Sequence, residues 1–325
     1  MDELAGLVAE IGFSGVVQVG RQQLAHGEAD RAHGILNSVE TRFAIASGSK
    51  GMTALAVMSL VADGVLSLET RARSLLGGDL TLVDDTVTVE HLLAHRSGIG
   101  DYLDEEAEWE ADDYVLTRPV HELTTTEAFV PMLEGFAQKF EPGTAFSYCN
   151  GGFIVLALLA GRASGVGYHE LVRERVLSPA GMRRSDFLRS DRLPGDTAIG
   201  YLVDGRTNVF HLPVLGNGDG GLYTTLDDMS AFWESLFAGR ILPRELVDEM
   251  VRPRSDVPEE HARYGLGFWL DEHGPQVSLT GYDAGVSFRS VHDPTTGCTW
   301  TVMANTSAGA WPIARRLSEA PGRQS

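Results

Sequence analysis

Apolar positions recur with two different periods along the chain. At 15–20 and 41–46 they form short β-branched or alternating runs, the signature of strands, so a sheet is expected to begin at the N-terminus. Over 47–62 the period changes, because Met52, Leu55, Ala56, Val57, Met58, Leu60 and Val61 cover most of a helical circumference and Gly64 stands where such a helix would end. A helix apolar on nearly every side belongs in the interior. Helical patterns dominate from about 66 to 236, at 89–95, 126–138, 152–163, 169–176 and 226–237, separated by Gly, Pro and Asp turns. After 263 strand patterns return at 264–270, 277–281, 285–292 and 298–306, with turns at His273-Gly274 and Thr296-Gly297, and 308–319 reads as a closing helix. Strands at both ends with helices between them imply an α/β (α+β) chain: one antiparallel sheet holding a helical insertion. The expected division is 1–66 with 237–325 as the sheet domain and 67–236 as the mainly helical one.

Composition narrows the function. The 325 residues carry 26 Lys+Arg against 45 Asp+Glu, a net charge of −19, with no basic run to neutralise phosphates. Nucleic acid and anionic membrane surfaces are therefore not expected partners. The apolar stretch 153–160 is far shorter than the roughly 20 residues of a membrane-spanning helix, and residues 1–4 lack the basic start of a secretion signal. With only Cys149 and Cys298, and no Cys-x-x-Cys, a cytoplasmic location is expected. Of the 26 cationic residues just two are lysines, Lys50 and Lys139. Arginine stays protonated, whereas a desolvated lysine can become a base, so a lysine kept at position 50 raises a question of chemistry.

Three short segments carry that chemistry. In Ser47-Gly48-Ser49-Lys50, a spacing of three puts the hydroxyl and the amine on one helix face, where a lysine of lowered pKa could accept the serine proton; Ser47 as a plain helix cap is the competing reading. In Tyr148-Cys149-Asn150, a phenol for proton relay and an amide for a substrate carbonyl stand two apart, although a packing tyrosine and a capping Asn150 would look the same. In Leu279-Thr280-Gly281-Tyr282, a strand N–H beside the nucleophile would complete an oxyanion hole with the N–H of Ser47, and Gly281 permits close backbone approach.

Ser-x-x-Lys, Tyr-x-Asn and a Thr-Gly strand triplet, in that order, resemble the signatures of penicillin-binding proteins and serine β-lactamases, in the branch of class C β-lactamases, D-peptidases and esterases. Phe43-Ala44-Ile45-Ala46-Ser47, His91-Leu92-Leu93-Ala94-His95-Arg96-Ser97-Gly98, Phe140-Glu141-Pro142-Gly143-Thr144, Pro179-Ala180-Gly181-Met182 and Gly220-Gly221-Leu222 followed by Asp227-Asp228 agree with it, so the similarity runs from about 12 to 317. The resemblance implies a β-lactamase/transpeptidase-like fold and a serine hydrolase that cleaves ester or amide bonds, β-lactams or D-amino-acid peptides among them, through an acyl-serine. Ser47 would be the nucleophile, Lys50 and Tyr148 would share acid and base duties, and Asn150 would orient the substrate. The N–H groups of Ser47 and Tyr282 would bind the oxyanion. No cofactor or metal is implied, and the expected partner is a small ester, amide or β-lactam-like molecule. Leu279 departs from the family, whose third signature begins with Lys or His. Without a cation there, carboxylate-bearing substrates are disfavoured and a substrate apolar near this edge is expected.

Competing readings are a non-catalytic homologue that binds a ligand or peptide, and an acyltransferase. The pair His91 and His95 lacks the adjacent Glu of a metalloprotease helix and is read as fixing the loop near Ser97. The acidic run 101–113 is read as a solvated loop with an aromatic underside, Cys149 as a small packing group, and Lys139 as a surface residue.

Overall fold

The computed structural model describes residues 2–105 and 112–319. Its centre is an antiparallel eight-stranded sheet, in the order Gln22–His26, Gly15–Val19, Cys298–Ala304, Val286–Asp293, Val277–Asp283, Trp269–Asp271, Ala262–Tyr264 and Ser255–Val257. The two chain ends thus meet where Gly15–Val19 pairs with Cys298–Ala304, with Val17 opposite Val302. Such pairing closes the sheet around a long insertion. The predicted strand at 264–270 is split in two, because Gly265 and Gly267, the latter at φ +84°, turn the chain between Ala262–Tyr264 and Trp269–Asp271. The run at 41–46 contributes only Phe43–Ala44, which joins a separate small sheet with Leu222–Thr224 and Asp186–Phe187.

Each face of the large sheet is covered. Asp2–Glu10 and the strongly amphipathic Ala310–Glu319 lie on one side, where Leu4, Val8, Val17, Val302 and Ile313 form a compact cluster. On the other side the main core runs without a break from the sheet residues Leu279 and Phe288 to the helices. At its heart, Lys50–Ala62 packs against Asn150–Ser164, and both are buried almost all round. Neither helix could be stable in water with such a surface, and each fully buried Leu or Phe contributes about 1.5–3 kcal/mol. Leu226–Phe237, expected with the helical insertion, packs on the strands Gly15–Val19 and Cys298–Ala304. Among the described residues no single helix is long and apolar enough to cross a membrane, and the bent pair that passes by composition includes the buried helix Asn150–Ser164.

Two helical expectations are shortened and a third changes its winding. The pattern at 126–138 gives only the short turns Thr126–Phe129 and Val130–Leu133, since Glu134 is extended and Gly135 takes φ +88°. The pattern at 89–95 stops at Leu93, and 169–176 passes from Tyr168–Val172 into a π turn at Arg173–Leu177.

Two glycines set how closely strand and helix approach. A Cβ on Gly51 would lie 2.6 Å from Leu279 Cδ2, and a Cβ on Gly281 would lie 2.0 Å from the carbonyl oxygen of Ile45. The first neighbour is a side chain that can yield. The second is backbone, so Val277–Asp283 touches the turn before Ser47 only because position 281 has no side chain. Gly281→Ala is therefore expected to lower unfolding stability in urea by about 1–3 kcal/mol, as overpacking does. Gly78→Ala, which meets nothing within 4 Å, is the control expected to stay within about 0.5 kcal/mol.

Candidate active site

Ser47 lies in a short 3-10 turn, Ala46–Ser49, that precedes the helix Lys50–Ala62. Ser47 is not the cap of that helix; Ser49 holds the cap position, and its hydroxyl donates to the Ala46 carbonyl and accepts from the Leu222 N–H. Ala46 adopts φ +43°, a conformation rare outside glycine, and this bend turns Ser47 out of the strand Phe43–Ala44. The turn is fixed on both sides, by Ile45 N–H to Leu222 O and Gly48 N–H to Ile45 O.

One turn later, the Lys50 side chain is buried, with 2% of its surface exposed. Its Nζ lies 2.8 Å from Ser47 Oγ, 2.7 Å from Asn150 Oδ1 and 2.8 Å from the Asp219 carbonyl oxygen. Burial pushes the lysine pKa down, opposed by the charges of Asp219, Glu105, Asp101 and Asp283. The Tyr148 phenol also hydrogen-bonds Ser47, and its ring centroid is 4.9 Å from Lys50 Nζ. Burial and the charge of Glu105 push that phenol well above its ordinary pKa, against the bond to Ser47, so Tyr148 rests protonated. Ser47, Lys50, Tyr148 and Asn150 are thus brought together from the turn, its helix and the entry to Asn150–Ser164.

Asn150 does not stand as expected. It is the first residue of its helix; its amide oxygen takes the lysine, while Nδ2 donates to the Leu103 carbonyl and to Glu105 Oε1. Both ends of its amide are thus engaged, the oxygen by Lys50 and the nitrogen by Leu103 and Glu105, on the border of the hollow that contains Ser47. The other expected substrate-binding residues divide by strand alternation. Leu279 is 2% exposed and belongs to the core against Gly51, so it offers no edge to a substrate. Thr280 points to the opposite face, where it shares a hollow with Arg289 and Trp311. Gly281 provides the close approach, and Tyr282 borders the hollow that contains Ser47.

That hollow is lined by acids the sequence reading did not single out. Asp219 and Asp283 face it together with Glu105, while Leu188, Leu212, Pro213 and Val286 supply an apolar wall. Burial raises Asp283 to about 7, with Asp219 and Glu105 pushing the same way against the Ala284 N–H and Lys50. Asp219 is raised by burial against the attraction of Lys50, and its carboxylate accepts the Tyr102 hydroxyl. The only signal for Asp219 was its setting in Gly216-Asn217-Gly218-Asp219-Gly220-Gly221, a loop that Asn217 and Gly220 close on each other with paired backbone bonds.

Within the acidic run, Asp101 is a buried helix cap. Its carboxylate accepts the N–H groups of Asn150, Gly151 and Leu103, although burial still lifts it to about 6. Glu106, Glu108, Trp109 and Glu110 lie outside the described residues. Lys139, expected at the surface, pairs with Asp104 at 2.8 Å and reaches Ser147 at 3.3 Å. His91 completes a capping box with Thr88, and His95 accepts the Cys149 N–H, so the two histidines serve separate structural bonds.

Known proteins share this fold. A curated relative named as a putative penicillin-binding protein of Bacillus subtilis (strain 168) is 27% identical, over 82% of this chain and 65% of its own length. A D-aminopeptidase of Brucella anthropi is 29% identical, over 83% of this chain and 51% of its own. The chain therefore spans about half to two thirds of such relatives. The crystal structure of a penicillin-binding protein from Bacillus halodurans superposes with a TM-score of 0.90 at 35% identity, over 97% of this chain and 99% of that one. A D-amino acid amidase from Ochrobactrum anthropi SV3 shares the fold, with a TM-score of 0.79 at 21% identity over 98% of this chain and 97% of that one. With the Beta-lactamase family model matching residues 4–318, the chain belongs to the β-lactamase family.

Proposed function

We propose that this protein is a serine hydrolase that cleaves small amides or esters through an acyl-Ser47 intermediate, with Lys50 as the base. One observation carries the reading: two of the three neighbours of Lys50 Nζ, Asn150 Oδ1 and the Asp219 carbonyl, are oxygens that can only accept. A neutral amine has two N–H bonds and one lone pair. With both N–H bonds given to those carbonyls, the lone pair is left for Ser47, 2.8 Å away.

Lys50 takes the hydroxyl proton as Oγ bonds to the substrate carbonyl carbon, and the backbone N–H groups of Ser47 and Tyr282 receive the negative oxygen. The Tyr148 hydroxyl passes a proton to the departing amine or alkoxide as the C–N or C–O bond breaks. Lys50 returns the serine proton to the tyrosinate, and the neutral amine then takes a proton from water as the water oxygen adds to the acyl carbon and gives it to Ser47 Oγ as the acyl C–O bond breaks, releasing the acid. Tyr148 suits the acid role because it rests protonated.

The lining selects the substrate. Asp219, Asp283 and Glu105 attract an ammonium group and repel a carboxylate, so the favoured class is a small amide or ester carrying a free amine, with its apolar side chain against Leu188, Leu212 and Pro213. The D-aminopeptidase relative supports that choice. Penicillins and peptide C-termini are disfavoured by these acids and not by Leu279.

Ser47→Ala is expected to abolish both turnover and the mass adduct left by a fluorophosphonate, and Lys50→Met to slow acylation by about 10²–10⁴-fold at unchanged fold. An undiminished adduct in either variant contradicts the assignment. Because Asp283 titrates near 7, it is charged above that pH and neutral below it. KM for an amino-acid amide is therefore expected to rise as pH falls through 7, while KM for an uncharged p-nitrophenyl ester stays flat. Asp283→Asn should raise the amide KM by about tenfold and flatten its pH dependence; identical pH profiles for the two substrates would refute the ammonium site.

A further inference from the structure

We propose that His95 is the positioning residue that holds the Tyr148 phenol on Ser47. The inference rests on the acyl-serine reading and adds to it a residue that touches neither substrate nor nucleophile. His95 grips both neighbours of Tyr148: its carbonyl accepts the Ser147 N–H at 3.0 Å, and its Nδ1 accepts the Cys149 N–H at 3.0 Å. Its ring lies on the phenol ring, with centroids 4.2 Å apart and planes tilted by 35°. Tyr148 is therefore clamped at the preceding amide, the following amide and the ring face, while Trp269 stacks at 5.9 Å.

Packing alone does not explain an imidazole here. The residue is 1% exposed among Phe146, Phe153 and Tyr264, and with Nδ1 accepting, the proton sits on Nε2, which has no hydrogen-bond partner. A bare buried donor is unfavourable, and phenylalanine would fill the space without one. What phenylalanine lacks is the acceptor for Cys149. Burial, reinforced by the nearby Lys50 charge, keeps the imidazole neutral, so the acceptor persists across the working pH range. His95 also takes φ +53°, a conformation in which His and Asn are enriched over other side chains.

Two variants separate ring from acceptor. Asparagine places Oδ1 as many bonds from the backbone as Nδ1 and tolerates positive φ; phenylalanine keeps the ring and loses the acceptor. His95→Phe is expected to slow fluorophosphonate acylation of Ser47 and kcat by about ten- to hundredfold with KM nearly unchanged, the scale of a misplaced reacting group. His95→Asn should stay within about threefold of wild type. In the Tyr148→Phe background His95→Phe should add little further loss, because its effect passes through the phenol. Equal losses for Asn and Phe, no loss for Phe, or full additivity with Tyr148→Phe would each overturn the proposal. Amide exchange at Cys149, read in Ser47→Ala protein with the Ser147 amide, held by the residue-95 backbone carbonyl, as internal reference, tests the grip even if Ser47 never acylates. It should quicken with His95→Phe and not with His95→Asn, and unchanged exchange would refute the grip independently of the hydrolase reading.

Discussion

A buried amine held by acceptors is the constraint around which the rest of the molecule is organised. Taking an ammonium ion out of water is expensive, and the structure meets that cost with groups that hydrogen-bond the amine in either state of charge. The carbonyl of Asp219 and the amide oxygen of Asn150 come from two distant parts of the chain and converge on the first residue of a third, Lys50–Ala62. Neither acceptor could reach Nζ unless that helix packed tightly on Asn150–Ser164, and this explains why both are apolar on nearly every side. The core and the base are one design.

The acids around the amine pull against its burial. Desolvation favours neutral Lys50, whereas Asp219, Glu105, Asp101 and Asp283 favour the ammonium form. The conflict is moderated from the other side. Burial raises Asp283 to about 7 and Asp101 to about 6, so these two carboxyls hold less charge near neutrality than exposed ones would, and it pushes Asp219 in the same direction. The groups form one coupled system, and an arriving ammonium group changes its balance. The proposed amine-bearing substrate, by favouring charge at Asp283 and Asp219, would join the set that fixes the proton on or off Lys50. On that proposal binding and base strength would be linked, and an uncharged ester would meet a differently poised lysine.

That Ser47, Lys50 and Tyr148 meet was legible in the sequence from local spacing and order along the chain, as was the sheet split between the two ends. What stayed illegible came from contacts that no local pattern encodes. Asp219 acts through its backbone carbonyl, which any residue could supply, so its identity gave no sign. His95 was read only as a loop-fixing residue, because the Cys149 N–H it accepts is 54 positions away. Asp101 was taken for one of many solvated acids, since capping a helix that starts at Asn150 leaves no trace near position 101. Thr126 to Leu133 kept a helical spacing but lacked the length to outweigh the turn at Gly135.

Leu279 shows most clearly how register decides meaning. Side chains along Val277–Asp283 alternate between two faces, and the missing side chain of Gly281 fixes which face turns toward Ile45 and the nucleophile's turn. Residues two apart share that face, so Leu279, Gly281 and Asp283 look inward, while Thr280 and Tyr282 look away toward Arg289 and Trp311. Inward at 279 means the side of Lys50–Ala62, where Gly51 leaves room for a leucine and apolar neighbours receive it. Inward at 283 means the open end of the same strip, where a carboxylate meets the hollow beside Ser47. A single strand therefore seats an apolar side chain in the core at 279 and a carboxylate at the hollow four residues on. Register, and not residue type alone, decides which of the two side chains reaches the hollow.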